Sequence, residues 1–186
     1  IKVTAHAHSA ESIKDAILAG VDSIEHASLG DDESVALAVE HGVAFSMDVY
    51  NGTYTDEVGV ANGYAEEFMQ KNTDTTEAQR IVFEKALAAG VTLMFGTDLG
   101  AKQFEIMIER GMTPMQAIKS ATSVPAAHME IQKDVGALEV GRYADMFAVR
   151  GNPLQDISLL QHVEFVMKGG SVIKLNAQAT TDADRQ

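Results

Sequence analysis

The chain has 186 residues, enough for one domain or a domain and part of a second. Apolar residues make up 46%, which provides for a core and argues against a disordered chain. Lys and Arg number 14 against 27 Asp and Glu, a net charge of -13 that repels nucleic acid and anionic membranes; the absence of cysteine excludes disulfides and thiolate metal sites.

The segment "KVTAHAH" (2–8) reads as a strand, and alternation puts His6 and His8 on one face of it. Ser9 caps the helix that follows, where Ile13, Ala16 and Ile17 make an i, i+3, i+4 stripe. "DSIEHA" (22–27) is a second strand and carries His26. Asp31 caps a second helix, with the same stripe at Val35, Ala38 and Val39. "VAFSMDVY" (43–50) is a third strand. The polar, glycine-containing stretch 51–74 reads as a long loop beyond it, and Asp74 with Glu77 as a capping box that opens the next helix. "VTLMFGTD" (91–98) is a fourth strand, ending on Asp98. Gly20, Gly42 and Gly90 each precede Val at a helix end, where the chain takes a positive φ.

Two further helices are expected in "QFEIMIERG" and "TPMQAIKSATS", the second with Thr113 as cap and Pro114 at its first position. The remainder differs in kind. Glycine-rich turns and short alternating segments in 134–175 point to a small β-subdomain, and 176–186 to a polar tail that frays. Residues 1–133 form the βα part. Its alternating order implies an α/β fold with a parallel sheet, four of the eight units of a (β/α)8 barrel. An open doubly wound sheet is the competing architecture, but no glycine-rich phosphate loop follows any strand.

Chemistry collects at the strand ends. His6 or His8, His26 and Asp98 occupy equivalent points of a repeating unit and converge if successive strands are neighbours. Imidazole nitrogens with a carboxylate suit Zn²⁺ or a similar divalent ion, which acidifies water. Asp98 would then ligate and also accept the proton of the attacking water. His41, His128 and His162 lie outside the pattern and read as structural or surface residues. Tyr50, at the end of the third strand, either reaches a substrate or packs.

With these residues the chain resembles the amidohydrolase superfamily. "AHAH", "SIEHA" and "FGTD" are similar to its barrel strands 5, 6 and 8, and "GALEVGRYADMFAVRGNP" followed by "VEFVMKGG" to its C-terminal β-subdomain. "MDVYN", "AEEFMQK", "EAQRIVFEKALAAGV" and "AKQFEIMIERGMTPMQAI" resemble the imidazolonepropionase-like branch, within it the Xaa-Pro (prolidase) and Xaa-Arg dipeptidases. "HAH" also resembles the family's first strand, but the Pro-Gly-Leu-Ile-Asp-like run that precedes that strand is absent. Strand 5 is the consistent register.

The resemblance implies the C-terminal half of a metal-dependent (β/α)8 barrel with a segment of a small β-sandwich subdomain. It implies a divalent metal centre, zinc first, of one or two ions, with part of the ligand set outside this chain. His6 and His26 would ligate the more exposed ion. Asp98 would ligate the other, act as general base and return the proton to the leaving amine. His8 and Tyr50 would face the substrate or support the ligands. The parent reaction would be hydrolysis of an amide bond, as in a dipeptidase; the superfamily also contains cyclic amide hydrolases and deaminases, and a decayed, non-catalytic relative is the other class. The chain is expected to be a fragment, inactive by itself. A small-molecule or dipeptide substrate is expected, with no nucleic acid or membrane partner; a homo-oligomer is left open. No apolar run is long enough to span a bilayer and no signal peptide is visible, so the compartment stays open between cytoplasm and export.

Overall fold

Alternation along the strands sorts side chains to two faces, and one face is strongly apolar. The computed structural model describes residues 1–96, 100 and 102–176. Four strands, β1 (Thr4–Ser9), β2 (Ser23–Leu29), β3 (Ala44–Met47) and β4 (Leu93–Phe95), lie side by side in chain order, all parallel. Helices α1 (Ala10–Leu18), α2 (Asp32–His41), α3 (Asn51–Gly59) and α4 (Glu66–Ala89) come between them. Ala7, Ile24, Phe45, Met47 and Leu93 belong to one core cluster with Ile13, Ile17, Val35, Val82 and Phe83 of the helices. Burying each of the larger side chains stabilises the fold by about 1.5–3 kcal/mol. His6, His8, Ser46 and Asp48 alternate with these core residues and take the other face. That is half of a (β/α)8 barrel, with its inner face carrying the polar residues.

The helix boundaries follow local chemistry. The Ser9 hydroxyl accepts from the Ser12 amide at 3.2 Å. Asp31 accepts from the Ser34 amide at 2.8 Å, and the Ser34 hydroxyl accepts from the Asp31 amide at 2.9 Å. Gly20, Gly42 and Gly90 have φ of 89°, 67° and 82°, as their places at helix ends require. Thr113 caps α6 (Pro114–Ser120), which follows α5 (Gln103–Glu109) and precedes α7 (Ser123–His128). The three strands β5 (Met146–Val149), β6 (Val163–Lys168) and β7 (Ser171–Leu175) form one antiparallel sheet, turned at Gly169 and Gly170.

The stretch 51–74 corrects the sequence reading. It is not a long loop but α3 and the first part of a 24-residue α4, and Asp74 lies inside that helix rather than capping it. Two causes act together. Glu66, Glu67, Met69, Gln70 and Lys71 are good helix formers. The threonines of this segment bond back into the helix, Thr73 to the Met69 carbonyl at 3.1 Å and Thr76 to the Asn72 carbonyl at 2.7 Å. Asn72 then ties the two helices, donating to the Gly52 carbonyl at 3.0 Å and to Asp56 at 2.8 Å.

Replacing the Asp31 cap tests the local account. Asp31→Ala should cost about 1 kcal/mol at neutral pH. The Ser34 amide, opposed by burial and helped by Lys14, holds the Asp31 carboxyl below its ordinary value of 3.8. Its stabilisation is therefore complete above the unfolded pKa and is lost as pH falls through the lower folded one. Urea midpoints of wild type and variant should differ at pH 7 and converge toward pH 2; a difference that is constant with pH would refute the cap.

Candidate functional site

The site begins with an irregularity in β2. β1 and β2 pair in step from Thr4↔Ser23 to Ala7↔His26, and then Ser9 pairs with Leu29. β2 therefore carries one extra residue. His26 and Ala27 absorb it with φ of 73° and 49°, a region non-glycine residues seldom enter. Each such residue costs about 1–3 kcal/mol, and a bulge of this kind re-aims a side chain. Here His26 Nε2 comes to 2.8 Å from His6 Nδ1. At that separation one nitrogen donates and the other accepts. His8 stacks on the His26 ring, with centroids 4.7 Å apart and planes at 15°. Its Nδ1 lies 3.0 Å from the Ser28 hydroxyl. Partial burial, with the neighbouring His26, His6 and Lys71 in the same sense and Asp48 opposed, pulls the His8 pKa down.

The other ring nitrogen of His26, Nδ1, is 3.1 Å from Asp48 Oδ1. Asp48 is only 6% exposed. Gln79 of α4 donates to its Oδ1 at 2.6 Å, and Asn51 to its Oδ2 at 3.0 Å. Burial pushes the Asp48 carboxyl up, but Asn51, His26 and Gln79 outweigh it and hold the group below its ordinary range. These residues border a cavity of about 620 Å³ that Phe68, Lys71 and Asn72 of α4 also line.

The structure brings His6, His8 and His26 together; Asp98 lies outside the described residues. Tyr50 is 4% exposed, its hydroxyl donates to Glu57 at 3.0 Å, and Lys102 lies over its ring. Two imidazoles aimed at one another beside a buried carboxylate have the right chemistry for a divalent ion. Among the described residues no group of three or more His, Cys, Asp or Glu is clustered to hold one. Sequence reasoning missed Asp48 and Gln79. Asp48 had a signal, as the one carboxylate inside the apolar run "VAFSMDVY", two residues on from Ser46. Gln79 had none, being an ordinary polar residue of a helix.

Comparisons with known proteins bear on the family and the fold. The amidohydrolase family profile matches residues 1–176. The chain belongs to the amidohydrolase family. It is 34% identical over 184 residues to the ochratoxinase of Aspergillus niger, covering 92% of this chain and 38% of that protein. Among solved structures it superposes on a Xaa-Pro dipeptidase with methionine in its active site, at a TM-score of 0.86, 37% identity and 94% and 45% coverage of the two chains. A prolidase complexed with N-methylphosphonate-L-proline gives a TM-score of 0.86, 31% identity and 94% and 45% coverage. The chain thus spans less than half the length of these relatives.

Gln103 holds the mouth of this amidohydrolase half-barrel together. It is fully buried at the start of α5. Its Nε2 donates to the Met47 carbonyl at 2.6 Å and to the Gly96 carbonyl, and its Oε1 accepts from the Tyr50 amide at 3.2 Å. The ends of β3 and β4 are so joined. They also approach closely: a Cβ on Gly96 would lie 2.9 Å from the Ser46 carbonyl carbon, which explains the glycine of "FGTD". Gln103→Leu keeps the volume and removes all three bonds. It should destabilise the protein by about 3 kcal/mol, because buried backbone groups are left unpaired. Denaturant unfolding measures this, and a change under about 0.5 kcal/mol would mean that other groups satisfy the strand ends.

Proposed function

We propose that the protein carrying this chain is a metal-dependent hydrolase of amide bonds in small molecules, with dipeptides of the Xaa-Pro type as its first substrate class. The observation that carries the reading is the meeting of His6 Nδ1 and His26 Nε2 at 2.8 Å on the sheet face beside the cavity. The similarity to a Xaa-Pro dipeptidase and a prolidase supports the substrate class. His6 and His26 would hold a divalent ion, zinc in the first instance, and Asp98 would complete the set from this chain. A bound divalent ion acidifies water and polarises a carbonyl. Asp98 has the part of proton carrier, from water to the leaving nitrogen. His8, kept neutral by partial burial and held by Ser28, lines the substrate side.

The test uses the intact protein with zinc. His6→Ala and His26→Ala should each lower bound zinc and reduce kcat/KM on Xaa-Pro dipeptides by about 100-fold or more. Unchanged zinc content and unchanged turnover in both variants would overturn the assignment. Turnover of lactams but not of dipeptides would move the substrate to cyclic amides. No zinc and no turnover of dipeptides, lactams or N-acyl amino acids would leave a binding protein.

A further inference from the structure

We propose that Asp48 is a positioning residue that makes His26 a metal ligand, by deciding which of its ring nitrogens carries the proton, and that Gln79 and Asn51 hold the Asp48 carboxylate in place for this task. The inference rests on the reading of His6 and His26 as ligands and adds residues that neither the sequence motifs nor that reading assigns.

A neutral imidazole has one N–H and one lone pair, and only the lone pair binds a metal. An ionised carboxylate is an acceptor only. Asp48 Oδ1 lies 3.1 Å from His26 Nδ1, so the proton of His26 belongs on Nδ1. Nε2 then carries the lone pair, and Nε2 is the atom that faces His6. With the proton on the other nitrogen, the same ring in the same place would present an N–H to the metal position.

The carboxylate is itself constrained. Asp48 is buried, with Gln79 donating to Oδ1 at 2.6 Å and Asn51 to Oδ2 at 3.0 Å. The Asn51 amide also closes the turn onto the Asp48 carbonyl at 2.9 Å. Gln79, buried on α4, has its Nε2 within 3.4 Å of the His26 carbonyl as well. One side chain therefore grips both the carboxylate and the backbone of the residue it orients. That backbone is the left-handed one at the bulge, with φ of 73°. A strained backbone keeps its ring direction only where neighbours over-determine it, and Asp48 and Gln79 supply two of those neighbours from two different elements.

The experiment combines zinc affinity with the ring tautomer in the intact protein. Zinc affinity is measured by competition with a chromophoric chelator for wild type, Asp48→Asn, His26→Ala and the double variant. Asp48→Asn should weaken zinc binding about 10- to 100-fold. In the His26→Ala background it should have no further effect, because Asp48 acts through His26. In the metal-free protein, nitrogen NMR of labelled histidine should show His26 protonated on Nδ1 in wild type and gaining the Nε2–H form in Asp48→Asn. If His26→Ala weakens zinc binding and Asp48→Asn does not, only the positioning role falls. Equal weakening by Asp48→Asn in both backgrounds would likewise overturn it, leaving a general structural effect. If His26→Ala itself leaves zinc affinity unchanged, the ligand reading falls and takes this inference with it. Should Asp48→Asn fail to fold, Gln79→Leu loosens the carboxylate without removing it, and the same two readouts apply with a smaller shift.

Discussion

Between Ala7 and Ser9 of β1 the facing strand runs from His26 to Leu29, and the extra residue drives His26 and Ala27 into left-handed backbone. The geometry of the site depends on that step. His26 pairs with Ala7, a residue of the helix-facing core, and with regular strand backbone its side chain would point the same way. The left-handed backbone at the bulge turns it instead toward His6 and His8. Three imidazoles then share one small volume, with His26 bonded to His6 and stacked on His8.

Strain of this kind persists only if the surroundings hold it. At the ends of β2 and β3 the holding groups are polar and buried: Asp48, Gln79 and, further along, Gln103. Each is costly to desolvate, and each is matched by partners of opposite hydrogen-bonding sense. Asp48 faces only donors; Gln103 uses both ends of its amide. This division of labour suits a barrel mouth. The apolar cluster under the helices supplies stability, and the polar residues at the strand ends set direction.

Much of the fold was legible because it rests on local patterns. The i, i+3, i+4 stripes at Ile13 and Val35, the caps at Ser9, Asp31 and Thr113, and the helix-ending glycines at 20, 42 and 90 each encode their element within a few residues. The segment 51–74 was misread for an equally local reason. Its glycines, asparagines and threonines favour turns in isolation, and only the packing of α3 on α4, tied by Asn72, favours helix. Of the site, His6, His8 and His26 stood out as imidazoles at strand ends. Asp48 was visible as a charge in an apolar strand, but its partner was not.

By itself the sequence determined the alternation of four parallel strands with helices, the family and the set of imidazoles available, since these follow from periodicity, capping and motif. It also placed His6 and His8 on one face, because alternation in a strand is a property of the backbone. Only the tertiary structure decided that His26 meets His6 through Nε2, that Asp48 takes its Nδ1, and that Gln79, 53 residues from His26, reaches the same point. The physical reason is that these contacts depend on the register between strands and on one bulge within it. Register is a relation between segments, and no single segment encodes it.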